Sequence, residues 1–133
     1  MAAPKQWWWK PSASVATALI IDDEIDICYL LSSILRTKKL QVSYVNSLAE
    51  ATVALDKQQP EIIFLDNHLP DGMGVDFIKQ LKQTHPAAKL VMITAFDNYS
   101  DRLKAFKNGI DTFIAKPFTK DTIYQTVDKL LSA

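Results

Sequence analysis

Net charge is missing from this chain: its 15 lysines and arginines balance 15 aspartates and glutamates. That balance excludes a nucleic-acid binder that relies on a broadly basic surface. Cysteine is nearly absent as well. Cys28 has no partner for an internal disulfide, and nothing stands beside it with metal-ligand spacing. No apolar stretch approaches the roughly 18 residues needed to cross a bilayer, and no charged segment precedes an apolar core near Met1. No G-x-S-x-G occurs, which excludes the strand-turn-helix elbow of a serine hydrolase. With 133 residues, two full domains do not fit. What is present is 48% hydrophobic and 23% charged, an ordinary globular balance. The expectation is one cytoplasmic domain with no membrane contact and no cysteine-based metal site.

The first stretch differs from the rest. Residues 1–14 read MAAPKQWWWKPSAS, with two prolines, three consecutive tryptophans and no helical or strand period. Chain termini order only when something ties them down. One reading is an arm, a linker or an expression remnant; the other is that Trp7, Trp8 and Trp9 dock on a partner or on the domain itself. Residues 15–133 form the domain proper.

From Val15 onward, short apolar runs alternate with amphipathic stretches five times. Ala16 to Ile21 is a strand that stops at Asp22-Asp23-Glu24, and Ile27, Leu30, Leu31, Ile34 and Leu35 follow at helical spacing. Val42 to Val45 is a second strand. Ser47 with Glu50 three residues on makes a capping box for a helix to about Gln58. Ile62 to Leu65 ends at Asp66, and a polar turn holding Pro70, Gly72 and Gly74 leads to a helix over about Val75 to Lys82. Leu90 to Ile93 ends at Thr94, and a helix over about Ser100 to Asn108 stops at Gly109. Thr112 to Ala115 ends at Lys116-Pro117, and Thr119 caps a last helix to about Leu131. Continuous apolar strands alternating with such helices predict a doubly wound α/β sandwich, a parallel sheet covered on both faces. Ligands in these sheets bind beyond the carboxyl ends of the strands.

Those ends carry Asp22-Asp23, Asp66, Thr94 and Lys116. Carboxylates brought onto one edge repel one another, and desolvation adds to the cost. A hard divalent cation relieves both, and Mg²⁺ is commonly held by one or two carboxylates plus a phosphate. The lysine supplies a compact charge for a phosphoryl oxygen, and the threonine one further hydrogen bond. Asp66 is the candidate acceptor, since carboxylates serve as nucleophiles through aspartyl phosphates. Each residue alone has a plainer role: a cap, a turn former, a strand residue, a solvated charge. Their joint fall at strand ends is what points to phosphoryl chemistry.

In order along the chain, Ile20-Ile21-Asp22-Asp23-Glu24, Phe64-Leu65-Asp66-Asn67-His68-Leu69-Pro70-Asp71-Gly72-Met73-Gly74, Met92-Ile93-Thr94-Ala95 and Ile114-Ala115-Lys116-Pro117-Phe118 resemble the receiver domains of two-component response regulators. The similarity covers about Ala16 to Leu131. It implies a flavodoxin-like, CheY-like (βα)5 fold with a parallel sheet of order 2-1-3-4-5. It also implies that Asp66 accepts a phosphoryl group from a phosphohistidine of a sensor histidine kinase or phosphotransfer protein. Asp23 would ligate Mg²⁺ directly, Asp22 largely through water, and the backbone carbonyl of His68 would complete the protein's share. Lys116 would pair with a phosphoryl oxygen, next to a cis bond to Pro117. Thr94 would be the switch hydroxyl and Phe113 the switch aromatic, although an aromatic in a buried strand is ordinarily core. His68 and Phe96 would crowd hydrolytic water at the site. His85, before Pro86, reads as a surface residue.

The domain would thus be no conventional enzyme, its self-catalysed phosphotransfer and hydrolysis serving a signal. Its switching face would be the fourth helix, fifth strand and fifth helix. That face would suit an effector, an output domain or a second copy of the chain; Arg102, Lys104 and Lys107 there suit either acidic residues across a homodimer or plain solvation. The length leaves no room for an output domain. Alternatives are a receiver module of a larger transcriptional regulator or hybrid histidine kinase and, less favoured, a haloacid-dehalogenase-like phosphatase. The last requires an acidic residue where His68 stands. A flavodoxin-like electron carrier is disfavoured because Asp22-Asp23-Glu24 would repel a cofactor phosphate.

Overall fold

A computed structural model describes residues 15–131. The chain runs β1 (Thr17–Ile21), α1 (Ile25–Thr37), β2 (Gln41–Val45), α2 (Leu48–Lys57) and β3 (Ile62–Leu65). It continues through α3 (Gly74–Thr84), β4 (Lys89–Thr94), α4 (Tyr99–Asn108), β5 (Thr112–Ala115) and α5 (Lys120–Leu131). Between β3 and α3 a small antiparallel hairpin pairs His68–Leu69 with Gly72–Met73, a feature that reads in the sequence only as a polar turn.

The five-stranded sheet is parallel with order β2-β1-β3-β4-β5, the expected doubly wound fold. Successive strand residues point to opposite faces, and both faces are packed. Leu19, Ile21, Ile63, Leu65, Leu90 and Met92 meet the inner faces of α2, α3 and α4 through Ala51, Leu55, Ile78, Leu81 and Ala105. Ala18, Ile20, Ile62, Phe64, Val91 and Ile93 meet α1 and α5 through Cys28, Leu31, Leu35, Ile123 and Val127. All of β3 is buried because it is the central strand.

Local signals set the helix ends. Ser47 Oγ accepts the Glu50 N–H at 3.1 Å, and the Glu50 carboxylate accepts the Asn46 N–H at 2.8 Å, a reciprocal pairing of the capping-box kind. Gly109 ends α4 in the left-handed region at φ 111°, where a Cβ would be strained.

Two expectations are corrected. Leu30 is exposed, while Leu31, Ile34 and Leu35 of the expected stripe are buried together with Cys28 and Ser32. Leu30 lies off the stripe that Cys28, Leu31 and Leu35 centre, on the side of the helix that faces solvent. His85 is buried: its Nε2 lies 3.1 Å from the Leu55 carbonyl oxygen and its Nδ1 2.8 Å from Thr84 Oγ1, so this ring links α2 to the end of α3. The tryptophans of the arm lie outside the described residues, and no helix among the described residues is long and apolar enough to cross a membrane.

Candidate functional site

Strand register builds the site. Ile21 stands opposite Leu65, so the next residues, Asp22 and Asp66, leave the sheet at one level. Both keep their place in the ladder: the Asp22 N–H donates to the Val45 carbonyl at 3.1 Å, and the Asp66 N–H to the Ile21 carbonyl at 2.9 Å. Across the sheet Thr94 stands opposite Ala115, and the Lys116 N–H donates to the Thr94 carbonyl at 2.9 Å. The peptide bond from Lys116 to Pro117 is cis.

The structure brings the expected charged residues together. Lys116 Nζ lies 2.9 Å from Asp22 Oδ2, 3.0 Å from Glu24 Oε1 and 3.5 Å from Asp66 Oδ2. The side chains of Lys116, Asp22 and Asp66 are only 7%, 4% and 5% exposed. Asp23 reaches the same cluster from an exposed position: Asp22, Asp23, Glu24 and Asp66 each offer an oxygen within 4.8 Å of the others. Asp22 is braced from behind, its carbonyl accepting Asn46 Nδ2 at 2.8 Å and the Cys28 thiol at 3.3 Å. That thiol is buried beside Asp22, and both effects push it up to about 11, so Cys28 is a packing residue and not a reactive one.

Burial raises Asp66 to about 6, and the charge of Asp22 adds to the rise; Lys116, the Asn67 N–H and the Thr94 hydroxyl oppose it. Asp22 is raised by burial too, against the Glu24 N–H and Lys116. Burial alone would lower Lys116, but its hydrogen bonds to Asp22 and Glu24 and the charges of Asp66 and Asp22 hold it above the ordinary lysine value. Four carboxylates facing one ammonium leave an excess of negative charge. Hard oxygen donors in such excess fit a divalent cation of the Mg²⁺ or Ca²⁺ type.

Around this centre Thr94 is fully buried, its Oγ1 accepting the Phe96 N–H at 3.2 Å. Phe113 is turned into the core at 9% exposure, and the Arg102 guanidinium covers its ring at 4.4 Å. Arg102 also grips Asp97 through two hydrogen bonds of 3.2 and 2.9 Å, while Lys104 pairs with Asp76. Two of the three basic residues of α4 are therefore occupied within the chain. The His68 ring packs against Phe96 in a tilted arrangement, centroids 4.1 Å apart and planes at 47°, and its Nδ1 is buried without a hydrogen-bond partner among the described residues.

Sequence reasoning missed three residues. Glu24 shares Lys116 with Asp22; its signal was its place in the acidic run. Asp71 accepts the Leu48 and Ala49 N–H groups, each at 2.9 Å, and those bonds lower its pKa. It ties the loop after β3 to the start of α2, and no local pattern reveals a partner 23 residues away. Asn67 is wholly buried beside Asp66. Gly74 has a plain cause: a Cβ there would collide with the Asp66 carbonyl.

Residues 18–128 match the response regulator receiver domain family. The sensory transduction protein LytT of Enterococcus faecalis is 36% identical over 115 residues, covering 84% of this chain and 46% of that protein. The response regulator protein PilR of Pseudomonas aeruginosa is 36% identical over 100 residues, covering 75% of this chain and 22% of that protein. The chain thus spans less than half the length of either relative. A two-component response regulator from Clostridium difficile has the same fold, with a TM-score of 0.84 at 26% identity over 87% of this chain and 95% of that one. A Burkholderia pseudomallei response regulator solved with a phosphorylated aspartic acid, calcium ion and citrate also shares the fold, with a TM-score of 0.80 at 24% identity, covering 88% of this chain and 67% of that one. With the fold, the strand-end residues and the sequence match in agreement, the chain belongs to the response regulator receiver domain family.

Proposed function

We propose that residues 15–133 act as the phosphoacceptor module of a two-component phosphorelay, with Asp66 as the acceptor. The observation that carries this reading is the pairing of a buried strand-end carboxylate with Lys116 and three further carboxylates within one pocket. Asp66 Oδ2 faces Lys116 and is the attacking atom. It forms the new P–O bond as the P–N bond to the donor histidine breaks, and the electron pair of that bond returns to the imidazole. Lys116 neutralises charge on the transferred group, and Thr94 offers its hydroxyl to it. Such transfer depends on positioning and charge stabilisation more than on covalent chemistry by the protein.

Asp22, Asp23, Asp66 and the backbone carbonyl of His68 would hold Mg²⁺, and Glu24 stands close enough to join them. When bound, the cation offsets the repulsion between the carboxylates and the incoming phosphate. Hydrolysis of the aspartyl phosphate is the domain's own slow reaction, with His68 and Phe96 crowding the approach of water. Thr94 and Phe113 form the switch, and the face of α4, β5 and α5 is the output surface, for an effector or a second copy. The donor is a sensor histidine kinase or a phosphotransfer protein, and the setting is cytoplasmic.

The greater length of LytT and PilR favours a second reading, in which this receiver is one module of a larger transcriptional regulator or hybrid kinase. Both readings share one test. Incubation with acetyl phosphate, with and without Mg²⁺, is followed by intact mass. The expected result is a Mg²⁺-dependent gain of one phosphoryl group that Asp66→Asn abolishes. An equal gain in Asp66→Asn refutes the assignment.

A further inference from the structure

Helix α4 is poorly anchored by apolar packing. Ala105 is its one buried residue, while Tyr99, Leu103 and Phe106 are exposed. Polar ties to the segment after β3 hold it instead. Asn67 Nδ2 donates to Asp101 Oδ2 at 3.0 Å, Lys104 bonds Asp76, and Asn108 Nδ2 donates to the Val75 carbonyl at 3.2 Å. Only the first of these begins beside the phosphoacceptor.

Asn67 has every polar group engaged. Its N–H donates to Asp66 Oδ1 at 2.8 Å, its Oδ1 accepts the Val75 N–H at 2.9 Å, and its carbonyl accepts the Gly74 N–H at 2.7 Å. Asp101, at the other end, lies in the first turn of α4. Asn98 caps that turn by accepting the Asp101 N–H at 2.8 Å, and Asn98 Nδ2 donates at 3.0 Å to the same Asp101 oxygen that Asn67 uses. One carboxylate oxygen therefore joins the helix cap to the residue next to Asp66.

We propose that Asn67 is a positioning residue that couples the charge state of Asp66 to α4 through Asp101, separately from Thr94 and Phe113. The inference rests on the reading of Asp66 as phosphoacceptor. Phosphorylation on Oδ2 turns Oδ1 from a carboxylate oxygen into an acyl carbonyl oxygen. A hydrogen bond to an ionised acceptor is roughly twice as strong as a neutral one, so the Asn67 N–H loses much of its hold on Asp66. The relaxation of Asn67 must pass to a neighbour. α3 is fixed by buried Val75, Phe77, Ile78 and Leu81, whereas α4 has Ala105 alone, so α4 yields.

The test is hydrogen exchange on the full chain, with and without acetyl phosphate and Mg²⁺, with intact mass reporting occupancy of Asp66. In the wild type, phosphorylation changes exchange at residues 98–105. Asp101→Ala is expected to cut that difference roughly in half or more, because the tie is lost, while the change around Phe113 persists. Asp101→Asn keeps an acceptor oxygen and restores the difference. Asn98→Ala removes the cap and the second donor to Asp101 Oδ2 but leaves the Asn67 donor in place, so it raises exchange in both states while a difference between them remains. A wild-type difference in Asp101→Ala overturns the coupling, as does its loss in Asn98→Ala. A wild type that gains no phosphoryl group overturns the reading of Asp66 first, and the coupling with it.

Discussion

Lys116 bonds Asp22 at 2.9 Å across 94 residues of sequence, closer than it stands to Asp66 at 3.5 Å. The ammonium is thus held by the acidic turn after β1, and Asp66 keeps one oxygen partly free. Removing the lysine strands two buried carboxylates. Breaking a buried pair from one side typically costs about 3–5 kcal/mol. Lys116→Met is expected to lose stability of that order at pH 7 by urea denaturation. Millimolar Mg²⁺ is expected to restore part of it, since a cation would replace the missing charge. A variant as stable as the wild type in the absence of Mg²⁺ would contradict the balance of charges described.

The buried position of Asp66 destabilises the fold whenever the carboxylate is ionised. Its folded value of about 6 lies above the ordinary 3.8, a difference of about 2 units, or ~3 kcal/mol if wholly its own. Because the carboxylate shares its protonation with Asp22, we expect Asp66→Asn to stabilise the protein by about 1–2 kcal/mol at pH 7. The midpoint of urea unfolding measures it.

The same shift fixes the sign of a pH dependence. The folded state binds the Asp66 proton more tightly than the unfolded state, so this group's contribution is greatest below about 3.8 and is lost as pH rises through about 6. Denaturation of wild type and Asp66→Asn across pH 4 to 7 isolates it. The stability difference between them is expected to grow with pH in favour of the variant, and a difference independent of pH would contradict the shift.

Much of this site was legible in the sequence, for a physical reason. A parallel sheet delivers its chemistry at strand ends, and those ends are sharp here because each apolar run stops at a charged or hydroxyl residue. Asp22, Asp66, Thr94 and Lys116 therefore declared themselves. The strands and the helix caps were readable from apolar runs and from Ser47 and Gly109, whereas the sheet order followed only from the family resemblance. What was hidden was contact between segments. His85 is buried by α2, Asp71 caps a helix it does not adjoin, and Asn67 reaches α4. Periodicity carries no information on such partners. Leu30 misled because helical spacing alone does not fix where the buried stripe ends.

Gly74 shows how closely the chain passes its own phosphoacceptor loop. A methyl group there meets the Asp66 carbonyl and the Leu65 side chain, so backbone must move. Overpacking commonly costs about 1–3 kcal/mol, and Gly74→Ala is expected at the upper end of that range. The displaced Asp66 should also accept phosphoryl from acetyl phosphate more slowly. Thermal unfolding and timed intact mass measure the two effects. A variant that matches wild type in both would mean that the loop relaxes freely, contrary to the bond between Asn67 and Gly74.

Arg102 covers the Phe113 ring at 4.4 Å while its guanidinium is bound to Asp97, so the inward aromatic is closed over by a charged lid from α4. A guanidinium on an exposed aromatic face contributes about 0.5–1 kcal/mol. Arg102 is partly exposed, which places it in that range. A double-mutant cycle of Arg102→Ala and Phe113→Leu is expected to give a coupling energy of about 0.5–1 kcal/mol. Additive effects within about 0.3 kcal/mol would show that the two side chains do not interact energetically. Arg102→Lys is expected to recover less than half of the coupling, because an ammonium has neither the planar stack nor the paired bonds to Asp97.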